Sequence, residues 1–339
     1  MSASPMSPFE HDIAAQPEAL RAFAHTDGQP ALAALRAGPY DRIVLTGMGS
    51  SHDAALPTWR RLARAGRAAW WADTGQLLDA PELITASTLL IVTSQSGSSG
   101  EVVSLLEGRP RPATLVAVTN DVTSPLAAGA DLVVALHSGD EATVSTKSYL
   151  NSLAAHDLLA ATLTGTAPDD VLAVAKAVEE FGAAAELTRP AGELVAAANP
   201  RLAYIGFGDH AATARYAGLI TKEGAKIAAE GFIGGQFRHG PLELAGPGLT
   251  AVLFGSDDPA GNVSLQRLAT DLTEAGSTVI AVAALDRPGT ALSLRPPSGT
   301  IAPLAYGAVV AQHFTVALAR ARGITPGAFT FGSKVTTDL

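Results

Sequence analysis

Three stretches of the chain carry side chains whose types and spacing suit chemistry. The first is Thr93-Ser94-Gln95-Ser96-Gly97-Ser98-Ser99-Gly100-Glu101. The uninterrupted apolar run Thr88–Val92 precedes it, the pattern of a strand buried on both faces of a parallel sheet. After it, Glu101 to Leu106 has apolar residues at helical spacing and an acid in the first turn. A tight strand-to-helix turn of this kind presents backbone N–H groups and the positive end of a helix, which suits a phosphate. The hydroxyls of Ser94, Ser96, Ser98 and Ser99 add donors. The plainer reading is a Ser/Gly connection with a serine cap. The second stretch, Ala142 to Tyr149, is a polar loop entering a helix; structurally it reads as an N-cap by Ser145 or Thr146. The third runs from Thr221-Lys222-Glu223-Gly224 through Glu230 to Arg238-His239-Gly240-Pro241. Glu223 interrupts an otherwise apolar helix from about Ala212, and His239 stands beside a Gly-Pro turn. Either residue alone reads as a solvated or hydrogen-bonded structural group; a carboxylate, a histidine turn and an anion loop in one chain suit acid–base chemistry on an anionic substrate.

Other site types fit less well. Gly47-Met48-Gly49 follows a strand and Asp73 ends the next, but Ser51 and His52 fill the place of the third glycine of a dinucleotide fingerprint. No Gly-Lys-Ser/Thr follows any glycine loop. No His/Asp/Glu cluster has ligand spacing, so neither a metal nor a cofactor is expected. The 339 residues contain no cysteine, which excludes disulfides, thiolate metal sites and a cysteine nucleophile. A net charge of -9 without a Lys/Arg cluster argues against nucleic acid and anionic membranes as partners, so an anion must be held locally by amides and hydroxyls. The N-terminus lacks the pattern of a secretory signal and no uncharged apolar run reaches spanning length, so a soluble cytoplasmic protein is expected.

These residues need a scaffold, and the pattern supplies one. Strands at 42–46, 68–72, 88–92, 114–118 and 132–136 alternate with helices, which predicts an α/β architecture with a parallel sheet and helices on both faces. A helix over Pro168–Glu186 is expected to connect two halves. The second half then repeats the first: Arg42–Gly49 is echoed by Arg201–Gly208, Leu90–Gly100 by Val252–Gly261, and Thr114–Val118 by Thr278–Val282. The repeat differs at the loop, where Ser94–Ser99 becomes Gly255-Ser256-Asp257-Asp258-Pro259-Ala260. Two carboxylates there repel an anion, so only the first copy is expected to bind one.

Taken together, the motifs resemble the SIS (sugar isomerase) family, and within it the isomerase half of the glutamine–fructose-6-phosphate transaminases. The likeness covers nearly the whole chain. Glu10 to Pro17 looks like the segment opening that half, Gly47–Ser51 like its Gly-x-Gly-Thr-Ser loop, and Ser94–Ser99 like its Ser-Gln-Ser-Gly-Glu-Thr phosphate loop. Ser145-Thr146-Lys147, Lys222-Glu223 and His239-Gly240-Pro241-Leu242 match further family motifs, and Ser333-Lys334-Val335-Thr336 resembles the lysine-bearing tail. The resemblance implies two tandem SIS subdomains, each a doubly wound parallel sheet: a helical arm at 1–38, subdomains at 39–187 and 188–325, and a tail at 326–339 that closes the site. It implies that Ser94, Gln95, Ser96 and Ser99 hold a sugar phosphate, that Ser51 and Ser145 contact the sugar, and that Glu223 carries a proton between C1 and C2. His239 would open the ring from the neighbouring subunit of a homodimer, and Lys334 would close over the sugar.

Departures sharpen the expectation. The family lysine three residues before the glutamate is Ile220 here, the loop's Glu-Thr is Ser98-Ser99, and a cysteine-free chain cannot release ammonia from glutamine through an N-terminal cysteine. Deamination of glucosamine 6-phosphate, or a close relative, to a ketose phosphate and ammonia is expected. The alternatives are plain aldose–ketose isomerisation and a non-catalytic sugar-phosphate sensor.

Overall fold

The computed structural model describes residues 5–24, 30–285 and 289–336. The first four residues of the expected arm, its residues 25–29 and Thr337–Leu339 of the expected tail lie outside the described residues. In chain order, α1 (Pro8–Ala14), α2 (Gln16–Ala24) and α3 (Pro30–Ala37) precede β1 (Arg42–Gly47), α4 (Gly49–Arg64), β2 (Ala69–Trp71), α5 (Thr74–Asp79) and β3 (Thr88–Thr93). Next come α6 (Gly100–Gly108), β4 (Thr114–Thr119), α7 (Pro125–Ala128), β5 (Leu132–Ala135) and α8 (Lys147–Thr164). The remainder comprises α9 (Val171–Glu179), α10 (Thr188–Ala196), β6 (Arg201–Gly206), α11 (Ala211–Ala225), β7 (Ala229–Ile233), β8 (Leu249–Phe254), α12 (Val263–Glu274), β9 (Thr278–Val282), β10 (Leu292–Leu294) and α13 (Ala302–Ala321).

Two compact lobes result. The first holds Gln16–Glu141, Lys147–Ala175 and the tail from Phe331; the second holds the residues up to Ala15, Ala142–Thr146 and Lys176–Thr330. Helices α2 and α3 pack on α8 in the first lobe, whereas α1 packs on α13 in the second. Each lobe contains a five-stranded, all-parallel sheet. The first has the order β2-β1-β3-β4-β5; the second reads β7-β6-β8-β9-β10, the same order when its strands are counted from β6. The internal repeat is therefore a repeat of topology. Its first loop repeats too: Gly49 and Gly208 both adopt positive φ, +52° and +63°. A Cβ on Gly47 or Gly206 would stand 2.7 or 2.1 Å from backbone, so only glycine lets the turn pass this close.

Every residue of β3 is buried, as the unbroken apolar run predicts. Val44, Leu90, Val92, Leu115 and Ala117 form a core with Leu77, Val102 and Leu105 from the covering helices. In the second lobe Ile205, Ala251, Leu253 and Val279 pack with Phe237, Leu265, Leu268 and Leu272. Burial of each large side chain contributes roughly 1.5–3 kcal/mol. Helix α13 has the length and apolarity of a membrane span, but 83 % of its apolar window is buried inside the protein. The segment expected as one helix over Pro168–Glu186 is instead α9 followed by a 3-10 turn at Ala183–Leu187. The break falls where Phe181 turns in against Tyr306 and stacks on His313.

His156, on α8, is 1 % exposed, and its Nε2 shares a hydrogen bond of 2.8 Å with Thr93 Oγ1, at the last residue of β3. Burial pushes its pKa down to about 3. The folded state therefore holds it neutral, while the unfolded chain takes up a proton below pH ~6.5. Its contribution is complete above that pH and is lost progressively as pH falls towards about 3. At pH 5 the loss is about 2 kcal/mol. Thermal melts between pH 7.5 and 5 should show this decline, and His156→Gln, whose amide can still bond Thr93, should flatten it by that amount.

Candidate active site

A parallel sheet gathers the carboxyl ends of its strands and the N-termini of its helices at one edge, and a ligand cleft opens where the strand order reverses. In the first lobe that reversal lies between β1 and β3, which pair directly with Gly47 beside Thr93. The two loops leaving these strands, Gly47–Ser51 and Ser94–Ser99, are the two that the sequence singled out for anion and sugar contacts. Ser51 lies in the first turn of α4, with its N–H donating to Met48 O at 3.1 Å.

The Ser94–Ser99 loop is built from its own side chains. Gly97 N–H donates to Ser94 Oγ at 3.1 Å and Ser98 N–H to Ser96 Oγ at 3.3 Å. Each hydroxyl accepts in these bonds and keeps its proton for donation. Ser99 sits at the N-cap of α6 without making a side-chain cap bond, so its hydroxyl is not consumed by the helix. Ser94 is buried, and Gln95, Ser96 and Ser99 are half-buried. The loop is tied to the neighbouring β4–α7 connection: Asn120 N–H donates to Gln95 O at 3.0 Å and Leu126 N–H to Gly97 O at 3.1 Å. Asn120 also accepts from Ser138 N–H at 2.8 Å, which carries the network to the segment after β5. Sequence reasoning missed Asn120 and Ser124 because nothing local marks their partners.

It also missed Glu141. Its carboxylate accepts from the Ser148 N–H at 3.1 Å and hydroxyl at 2.6 Å, so it caps α8 from seven residues upstream. Sequence reasoning named Ser145 or Thr146 for the cap and did not see this carboxylate. The same carboxylate receives Lys334 Nζ at 2.6 Å. The tail is fastened again where Gly100 N–H, the first residue of α6, donates to Thr336 O at 3.0 Å. Lys147 of the Ser-Thr-Lys motif is buried and bonds the Asp140 carbonyl.

The remaining site residues lie in the second lobe. Ser145 is held by its carbonyl, which accepts from Tyr216 Oη at 2.6 Å; Gln312 Nε2 donates to the same Oη at 2.8 Å. Glu223 is half-buried in the last turn of α11. Its end of the helix is closely packed: a Cβ on Gly224 would stand 2.6 Å from Thr315, and Gly327 N–H donates to Gly224 O at 3.1 Å. Thr143 Oγ1 donates to Gly327 O at 2.7 Å, and Asp12 accepts from Ala142 N–H at 2.8 Å. Helix α1 and the Ala142–Thr146 segment therefore buttress the glutamate end of α11. His239 is exposed and follows β7 through a 3-10 turn at Gly234–Arg238. Since α11 runs back along the sheet, Glu223 falls at its amino edge and His239 at its carboxyl edge. The twelve residue steps from Ala211 to Glu223 alone span about 18 Å of helix. The second lobe does not bring its own Glu223 and His239 together.

The loop at Gly255–Ala260 is occupied by its own polar groups. Asp258 caps the following 3-10 turn through Ala260 N–H at 3.0 Å, Ser256 N–H donates to Asn262 Oδ1 at 3.0 Å, and Asp257 receives Ser298 Oγ. Among the described residues, no three His, Asp or Glu side chains gather as a metal-ligand set.

Residues 39–162 match the SIS domain family model. Over 253 residues the chain is 31 % identical to glutamine–fructose-6-phosphate aminotransferase [isomerizing] of Thermococcus kodakarensis, covering 70 % of this chain and 41 % of that protein. The chain thus spans about two fifths of the length of the curated relatives it matches. The C-terminal domain of glucosamine-fructose-6-phosphate aminotransferase from Francisella tularensis superposes with a TM-score of 0.80 at 18 % identity, covering 95 % of this chain and 98 % of that one. Glucosamine-6-phosphate deaminase from Thermotoga maritima gives a TM-score of 0.74 at 20 % identity, covering 97 % and 99 %. At these identities the structural likeness establishes the fold.

Gly97 adopts φ +62°, and a Cβ there would overlap Ser124 Oγ at 2.0 Å. Gly97→Ala should cost about 2–4 kcal/mol and distort the loop. Gly108→Ala at the end of α6, where a Cβ meets open space, should stay within about 0.5 kcal/mol of wild type. Scanning fluorimetry with inorganic phosphate should show stabilisation of the wild type and of Gly108→Ala, and none for Gly97→Ala.

Proposed function

We propose that this chain, which belongs to the SIS family through residues 39–162, isomerises a sugar phosphate. The substrate we infer is glucosamine 6-phosphate or a close relative, deaminated to the ketose phosphate with release of ammonia. The observation that carries the reading is the serine- and glycine-built loop at the reversal of strand order, set at the N-terminus of α6 and beside that of α4. Such an edge holds an anion with backbone dipoles and hydroxyls, which a chain of net charge -9 requires. Ser94, Gln95, Ser96 and Ser99 hold the phosphate; Ser51 and Ser145 contact the sugar.

In the proposed chemistry, Glu223 takes the C2 proton of the ring-opened amino aldose. Electron density moves to the C1 oxygen, giving an enaminol. The protonated glutamic acid returns the proton to C1, leaving C2 as an iminium, and water adds there to expel ammonia. One carboxylate can serve both carbons because the intermediate is planar and both are reached from one face. Lys334 supplies a cationic donor to the developing oxyanion, and His239 handles the ring oxygen. Because α11 ends with Glu223 at one edge of the sheet and β7 leads to His239 at the other, we assign the histidine to the neighbouring subunit of a homodimer.

A second reading, isomerisation without nitrogen loss, is favoured by Ile220. It is completely buried in the α11 core, so position 220 supplies no cation to Glu223.

Incubation with glucosamine 6-phosphate in deuterated water separates the readings: ammonia with deuterium at C1 supports deamination, exchange without ammonia supports the plain isomerase, and phosphate-dependent binding with neither points to a sensor. Glu223→Gln should lower turnover by about 10²–10⁴-fold; activity equal to wild type overturns the assignment. Glu223→Gln and His239→Asn proteins, each inactive, should regain about a quarter of wild-type activity when mixed and refolded together, because half the dimers are mixed and each has one intact site.

A further inference from the structure

Glu141 is in neither the anion loop nor the expected catalytic set, yet its carboxylate is one of the most committed groups in the first lobe. Its side chain is 0 % exposed, while that of Lys334 retains 20 %. Burying a carboxylate without partners costs several kcal/mol, so such a group persists only where its oxygens are matched. Here one oxygen accepts the Ser148 N–H at 3.1 Å; the other accepts the Ser148 hydroxyl and Lys334 Nζ, both at 2.6 Å. Ser148 belongs to the rigid first turn of α8, so the carboxylate is fixed by a helix and in turn fixes the lysine. With no exposed oxygen it cannot act on a bound sugar itself; the partly exposed ammonium can.

We infer that Glu141 is a positioning residue that seats Lys334 beside the anion loop, so that the tail is docked before substrate arrives. This inference rests on the role proposed above for Lys334. Two further contacts support it. Thr336 O accepts from Gly100 N–H at 3.0 Å, which ties the tail to the helix that follows the anion loop. Ser333 Oγ donates to Val335 O at 2.6 Å, a local turn that shapes the segment around the lysine. The tail is thus held two residues beyond Lys334 by backbone and at Lys334 by charge. The helix cap and the lysine share one carboxylate, so loss of the lysine takes a charged partner from a buried carboxylate. That penalty favours the docked tail.

The test uses the full chain and separates docking from catalysis. The sequence has no cysteine, and Phe331 is fully exposed, so Phe331→Cys gives a unique site for a spin label at the tail. In the labelled protein without any sugar, Glu141→Gln should raise label mobility, and Lys334→Gln should raise it equally. The double variant should show no further increase. The glutamine carbonyl can still accept from Ser148 N–H, so α8 stays capped and the melting temperature should change little; Glu141→Asp provides a second variant should Glu141→Gln fold poorly. With the substrate that the wild type turns over, Glu141→Gln should lower kcat by about tenfold or more and leave KM within about twofold. The double variant should be no slower than Lys334→Gln alone. Unchanged label mobility in Glu141→Gln overturns the inference even if the enzyme assignment stands. Released tails in a protein that turns over no sugar phosphate would leave the docking intact and overturn the catalytic role of Lys334. Additive losses in kcat would overturn the claim that Glu141 acts through the lysine.

Discussion

A parallel sheet is polar along its strands, and the first lobe depends on that polarity. Each strand delivers its carboxyl end, and each following helix its unsatisfied N–H groups, to the same edge. Where β1 and β3 lie side by side, the chains leaving them turn to opposite faces and leave room between their loops. Anion affinity at such a place needs no lysine in the loop. Aligned amides and hydroxyls supply the dipoles an anion needs, and in a strongly acidic protein the charges that matter to it are local. The glycines follow from the same constraint. Gly47 lets one loop pass against the end of β3, and Gly97 lets the other fold back on Ser124.

The second lobe shows what happens when that architecture is kept and its chemistry is replaced. Strand order and the Gly-x-Gly turn are preserved, so the scaffold forms equally well. The loop after β8 instead closes on itself through Asp258, Ser256 and Asn262, and its amides are satisfied internally. A carboxylate is tolerated there because it replaces an external anion with a covalently attached one. This lobe places Glu223 at the far end of α11 and His239 beyond β7. The helix and the strand carry these two residues to opposite edges of the sheet, and no side chain bridges that length.

Two polar groups of the first lobe flank the same stretch of chain: one joins the Ser94–Ser99 loop to Asn120 and Ser138, the other joins Glu141, Ser148 and Lys334. Buried polar groups of this kind are costly unless matched. The tail up to Thr336 is a short irregular segment, fastened among its described residues by the Lys334–Glu141 ion pair and by the Gly100 N–H to Thr336 carbonyl bond.

The sequence by itself determined the α/β class, the parallel sheets, the duplication and the serine- and glycine-built turn into α6, because each is written in local patterns: an unbroken apolar run such as Thr88–Val92, a Gly-x-Gly after a strand, serines before a helix. It also marked Glu223 and His239 as unusual for their surroundings. Contacts distant in sequence were decided only by tertiary structure. Asp12 holding Ala142, Tyr216 holding Ser145, Thr336 capping Gly100 and Glu141 holding Lys334 all join residues whose neighbourhood no short window contains. The division into lobes belongs to the same category. The residues up to Ala15 and the segment Ala142–Thr146 pack with the second lobe, because a chain's partners are set by where its helices and strands dock and not by its order along the sequence.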